Sequence, residues 1–225
     1  MPRIGRVVAI GCPHHITQRG NYQQKVFEGR NDYLRYISWI NDYSEKYDMK
    51  IAAYCLMTNH MHFIAIPNKK DSLSRTFNYT HMRYTQYKNT RKEASGHLWQ
   101  GRFYSCILDE NHLIEAIRYV ERNPVRAKLV KDAWGWEWSS AGEHVGIGKS
   151  RIPLVSMEET KGLNKEEWKE YLAEEEQEEF NKDIRIKTTT GRPLGSERFV
   201  RNLEEEFKTR LIALPRGRQK AKQNK

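Results

Sequence analysis

The chain has 225 residues, 38% hydrophobic and 30% charged, which gives room for one sizeable core and a small appendage beneath a polar surface. No apolar run reaches the length of a membrane span and no leader-type apolar region follows the basic start. The three cysteines (Cys12, Cys55, Cys106) are too far apart for a disulfide framework, so no membrane partner and a reducing, cytoplasmic setting are expected. A net charge of +10 favours polyanions, with nucleic acid ahead of an anionic lipid surface.

Residues 7–21 read as an apolar strand with a Gly-Cys-Pro interruption, running out into Arg19, Gly20 and Asn21. Residues 30–46 follow with a helical stripe of Tyr36, Ile40, Tyr43 and Tyr47. Residues 49–57 and 60–67 read as two strands of a hairpin turning near Thr58 and Asn59. A long helix is expected over residues 72–90, with Leu73, Phe77, Tyr84 and Tyr87 on one face. Strand character returns over residues 99–108. Asp109 is placed to cap a helix over residues 110–122, which Asn123-Pro124 should end, because the residue before proline is pushed out of helical geometry.

The alternation β-α-β-β-α-β-α predicts an α+β fold, a ferredoxin-like antiparallel sheet with packed helices. The tryptophans 134, 136 and 138 are expected to lid the core edge, with base stacking as the alternative. Beyond them, Asn164 opens a capped helix carrying Trp168, Tyr171 and Leu172. The acidic run at residues 174–179 reads as a solvated face and residues 188–193 as a loop. Ser196 starts a helix with Phe199, Val200, Leu203, Phe207 and Leu211 inward, and a basic tail closes the sequence.

Strand side chains alternate between faces, so His60 and His62 share one face while Met61 points into the core. Two imidazoles one strand repeat apart can grip one metal ion, and two ordinary strand histidines would look the same. Tyr119 and Asn123 stand four apart on the flank of a helix whose buried stripe is Leu113, Ile117 and Val120. By themselves they are also compatible with core-edge packing and a helix end.

Taken together, HHITQRGN, LMTNHMHF, LWQGRFY and RYVERNPVRAKLV, in this order across residues 1–144, resemble the single-tyrosine HUH transposases of small bacterial insertion elements, and within them the REP-associated tyrosine transposases. TGRPLGSERFV resembles a tail carried by a longer subset of that family. The resemblance implies residues 1–145 as an HUH tyrosine transposase catalytic domain, residues 146–187 as a helical linker region and residues 188–225 as a helical, basic DNA-binding extension. It implies His60, His62 and Asn123 as metal ligands, Tyr119 as nucleophile and Mg2+ or Mn2+ as cofactor. The expected chemistry is cleavage and rejoining of single-stranded, hairpin-bearing DNA through a 5′-phosphotyrosine. Monomer and homodimer both stay open.

Cations are the candidates for holding nucleic acid. Arg19 and Asn21 lie at the end of the first strand, Arg83 on the long helix with Arg75, Lys88 and Arg91, Arg102 before the fourth strand, and Arg122 and Arg126 beside Asn123. In the tail, Arg216 and Arg218 resemble the core of a minor-groove arm for flanking duplex. A non-cleaving protein that binds DNA or RNA hairpins is the alternative. A metal hydrolase with a purely structural Tyr119 is a third reading.

Overall fold

The computed structural model describes residues 5–157 and 162–213. Strands β1 (His14–Arg19), β2 (Met49–Leu56), β3 (His60–Pro67) and β4 (Tyr104–Ile107) form one antiparallel sheet in the order β2-β3-β1-β4. Helices α1 (Arg30–Lys46) and α2 (Ser72–Arg91) complete the β-α-β-β-α-β order expected for the ferredoxin-like α+β fold. They are followed by α3 (Leu113–Glu121), two single turns α4 (Asn123–Arg126) and α5 (Ala141–His144), and helices α6 (Lys165–Ala173), α7 (Glu178–Thr190) and α8 (Glu197–Phe207).

The two-residue period of the strands decides what each face of the sheet meets. Met61, Phe63 and Ala65 of β3 point to one side. There they pack with Ile16, Tyr54 and Leu56 against Tyr36 and Ile40 of α1 and Leu73, Phe77 and Tyr84 of α2. Each large side chain buried here stabilises the fold by roughly 1.5–3 kcal/mol. The opposite face carries Ala53, Cys55, Ile64 and Cys106, covered by Ala116, Ile117 and Val120 of α3. Tyr43 and Tyr47 stop short of the core and stack beside Tyr79 instead. Trp138 stacks on Tyr33 and Trp136 donates from its indole to Leu56 O, so two of the three tryptophans close the core edge.

Several expected elements differ in extent. Regular strand pairing in the first run begins only at His14, just after Pro13, which has no N–H to give to a ladder. The fourth strand is confined to Tyr104–Ile107, because Gly101 adopts φ 123°, outside strand geometry, after Trp99 has made a single bridge to Gly20. The third helix breaks at Arg122 (φ −82°, ψ 0°), one residue before Asn123. The chain then re-enters a helical turn with Pro124 in its first positions, where a missing N–H costs nothing. Asp109 caps as expected, accepting from His112 N.

The largest correction lies beyond residue 173. Residues 188–190 are the last turn of α7, closed by Gly191 at φ 75°, and do not form a loop. Glu176 is largely buried and pairs with Arg126, so the acidic run is not simply solvated. The chain after α5 wraps the sheet. Val155 N donates to Ile51 O beside β2, and Leu194 N donates to Ile107 O beside β4, so both outer strands acquire a covering segment.

Candidate active site

Register brings the site together. Thr17 of β1 lies opposite His62 and Arg19 opposite His60, while His15 faces Cys106 and Thr17 faces Tyr104 on β4. Directly paired residues project from the same face. Arg19, Thr17, His15, His60, His62, Tyr104 and Cys106 therefore share the α3 side of the sheet. Over the end of this patch opens a pocket of about 440 Å³, lined by these residues except Cys106, together with Gln100, Tyr119, Asn123, Arg185, Thr188 and Thr189.

Tyr119 reaches the pocket from α3 and is 4% exposed. Its ring stands edge-on to both His62 (centroids 5.8 Å) and His15 (5.5 Å). The Arg126 guanidinium sits 4.2 Å above the ring centroid, and Arg185 Nε donates to the phenol oxygen at 3.3 Å. Asn123, one helical turn on, donates from Nδ2 to the carbonyls of Tyr119 and Val120, both at 3.1 Å. Its amide nitrogen is thereby committed to the helix, which leaves Oδ1 as the end of the side chain offered to the pocket.

The histidines are held in different ways. His60 Nδ1 lies 2.6 Å from Asn59 Oδ1, and the Asn59 amide is oriented by its Nδ2 donating to Gln23 O. An amide oxygen only accepts, so His60 carries its proton on Nδ1 and has a free lone pair on Nε2. His62 Nδ1 lies 2.9 Å from His15 Nε2, and His15 Nδ1 lies 2.7 Å from Thr188 Oγ1. Burial, reinforced by Arg19 and Arg126, holds His60 down at about 4. Burial with the Arg126 charge holds His15 at about 3, and burial, reinforced by the neighbouring His60 and His15, holds His62 well below the ordinary histidine value. All three imidazoles are therefore neutral at physiological pH, the form that can coordinate a metal.

His60, His62 and Asn123, which line one pocket, would offer two imidazole nitrogens and one amide oxygen, a mixed N/O donor set. Among the described residues no group of three or more His, Cys, Asp or Glu side chains is arranged to hold a metal. The candidate set suits a hard or borderline divalent cation that keeps open positions, and the fixed lone pair on His60 and the free Asn123 oxygen fit it.

The other expected contact residues fall differently. Arg19 lines the pocket. Asn21 begins the turn after β1, its Oδ1 accepting from Tyr22 N. Arg102 is exposed on the loop before β4. Arg83 is exposed on α2, on the opposite side of the sheet from the histidines. Arg122 donates to Leu172 O and neighbours Glu176, and Arg126 pairs with Glu176 while lying against the Tyr119 ring. Lys88 is buried between Asp32 and Glu28, and Arg91 also pairs with Asp32, so neither is a free phosphate contact. Arg216 and Arg218 lie outside the described residues. Sequence reasoning did not single out His15, Thr17, Gln100, Tyr104, Arg185, Thr188 or Thr189 as site residues, although HHITQRGN and LWQGRFY contain the first four. Only the parity of His15, Thr17 and Arg19 along one strand hinted at a second row of site residues.

Residues 9–123 match the model of a family described as IS200-like transposases. A solved structure of a REP-associated tyrosine transposase bound to a REP hairpin is similar in fold, with TM-score 0.57 and 19% identity over 69% of this chain and 93% of that one. No curated protein matches the sequence.

Proposed function

Given that the chain belongs to the IS200-like transposase family, we propose that it cleaves and rejoins single-stranded, hairpin-bearing DNA, with Tyr119 as nucleophile. The observation that carries this reading is the placement of the Tyr119 ring 5.8 Å from that of His62, in one pocket with His60, Asn123 and Arg185. The solved relative of similar fold holds a REP hairpin, and a hairpin is accordingly the substrate class proposed here.

The Tyr119 oxygen would attack the scissile phosphorus. A bond forms from that oxygen to phosphorus, the bond from phosphorus to the 3′ oxygen breaks, and the phenol proton leaves to water while the 3′ oxygen gains one. Arg185, already donating to the phenol oxygen, would meet the phosphate as it arrives, and Arg19 at the pocket rim would steer the backbone. Magnesium or manganese, held by His60, His62 and Asn123, would supply polarisation of the phosphate and charge neutralisation at the leaving oxygen. The product retains a phosphodiester linkage to the protein, so a second 3′-hydroxyl can reverse the step without a nucleotide cofactor.

Residues 1–145 would form the catalytic unit. The later segments would brace it and hold flanking DNA, with Arg216 and Arg218 as the arm.

The test uses a labelled hairpin oligonucleotide from DNA flanking the gene, incubated with manganese and resolved under denaturing conditions. A protein-linked band that disappears in Tyr119→Phe and His62→Ala supports the reading. A band persisting in Tyr119→Phe assigns the wrong nucleophile. Tight hairpin binding with no adduct under any divalent ion would favour a non-cleaving binder.

A further inference from the structure

Only one of the two candidate ligand histidines has its tautomer set by its immediate neighbour. His60 donates to an amide oxygen, which cannot donate back. His62 faces another imidazole, and either ring can be the donor. The planes of His15 and His62 differ by 9°, with centroids 5.1 Å apart and Nε2 to Nδ1 at 2.9 Å. These values describe two rings side by side in one plane, joined by an N–H···N bond, and not a face-to-face stack.

The far end of the chain decides its direction. His15 Nδ1 meets Thr188 Oγ1. Beyond it the Thr188 hydroxyl faces Cys106 and draws its thiol back down against the rise that burial causes, the effect of a donor on sulfur. Cys106 Sγ in turn points at Ile107 O, 3.6 Å away. A carbonyl only accepts, so Cys106 donates to it and Thr188 is left to donate to sulfur. Thr188 then accepts from His15 Nδ1–H, His15 Nε2 accepts from His62 Nδ1–H, and the His62 lone pair lies on Nε2. Run in reverse, the same chain would place a proton on His62 Nε2, where no cation can bind.

We infer that Thr188, acting through His15, is a positioning residue that sets the tautomer of His62 and thereby makes its Nε2 available as a metal ligand. Both groups are buried, at 1% exposure each, so water does not compete for the relay. Thr188 comes from α7, in the segment that follows the catalytic unit, which ties that segment to the chemistry of the site. Partners of ligating histidines commonly act in this way.

With valine at 188, His15 Nδ1 has no partner. A buried orphaned N–H is rarer in proteins than an orphaned acceptor, so His15 would move its proton to Nε2 and donate to His62. The inference rests on the metal reading of the site, and its test separates the two. Full-length protein with 15N-labelled histidine is examined without metal by long-range proton–nitrogen correlation NMR, and Mn2+ affinity is measured in parallel. Wild type is expected to show His62 protonated on Nδ1. Thr188→Val should move that proton to Nε2 and weaken Mn2+ binding about 10- to 100-fold, with Thr188→Ser restoring both. Wild-type His62 protonated on Nε2, or a valine variant with unchanged tautomer, overturns the relay. A tautomer that moves as stated in a protein that binds no Mn2+ supports the relay and counts against the metal reading alone.

Discussion

Arg185 donates from Nε to the hydroxyl of Tyr119 across 3.3 Å, joining two residues 66 positions apart in the chain. Helix α7 thus lays a cation on the candidate nucleophile and a hydroxyl, that of Thr188, on the histidine behind it. The segment after residue 145 forms a wall of the pocket, and its integrity should be felt in the chemistry.

Arg185→Ala removes a donor aimed at the oxygen where charge develops. Loss of one such group costs on the order of 10²-fold in rate in other enzymes. Single-turnover adduct formation with a hairpin oligonucleotide should fall by that order while hairpin affinity changes little. Arg185→Lys should recover only part, since a lysine cannot reproduce the planar guanidinium. An unchanged adduct rate in the alanine variant would remove Arg185 from the site.

Lys88→Met should be severely destabilising. The Lys88 side chain is 3% exposed and Asp32 2%, with Nζ to carboxylate distances of 2.8 Å to Asp32 and 2.9 Å to Glu28. Removing the cation leaves the buried Asp32 carboxylate with only the exposed Arg91 as a counter-charge, a loss of up to about 3–5 kcal/mol. Burial pushes the Asp32 carboxyl up, but Lys88, together with hydrogen bonds from Glu28 N and the Tyr87 hydroxyl, holds it below the ordinary value. The stabilisation from this group is therefore complete above its unfolded pKa and is lost as pH falls through the lowered folded value. Urea titration should show the loss at neutral pH, and Lys88→Met with Asp32→Leu should recover part of it.

The local part of this site was legible from the chain. The two-residue period put His60 and His62 on one face, and four-residue spacing put Tyr119 and Asn123 on one helical flank. What was hidden depends on pairing between distant segments. His15 becomes a site residue because β1 lies between β3 and β4, and Thr188 because α7 packs on β4. Neither fact is carried by local pattern. Charge misled in the same way. Lys88 and Arg126 look like phosphate contacts in the sequence, and only the fold shows that Asp32 and Glu176 already occupy them.

Gly195→Ala should loosen the docking of the segment on β4. A Cβ there would stand 2.5 Å from Phe199 Cδ1 and 2.8 Å from Asp109 Oδ2. Asp109 cannot yield freely, because Oδ2 accepts from Ser196 N and Oδ1 from His112 N. Overpacking of this kind costs about 1–3 kcal/mol. Thermal unfolding should report a lowered midpoint, and an unchanged midpoint would mean that Phe199 swings aside without loss.

Stability should also decline toward alkaline pH through one buried pair. Glu121 is fully buried on α3 and accepts from His144 Nδ1 at 2.6 Å, from Trp168 Nε1 at 3.0 Å and from the Ser140 hydroxyl, tying α3 to α5 and α6. Burial opposes protonation of His144, yet the Glu121 carboxylate, joined by Glu143, raises the imidazole above its ordinary 6.5. A raised folded value gives stability that is complete below the unfolded pKa and is lost as pH climbs through the folded one. Urea midpoints measured from about pH 6 to about pH 9, across the ordinary histidine range, should therefore fall. Glu121→Gln keeps the shape and removes the charge, so it should lower stability at the acid end most and flatten the slope. A slope that survives in that variant would assign the alkaline loss to another group and leave the His144–Glu121 pair a neutral hydrogen bond.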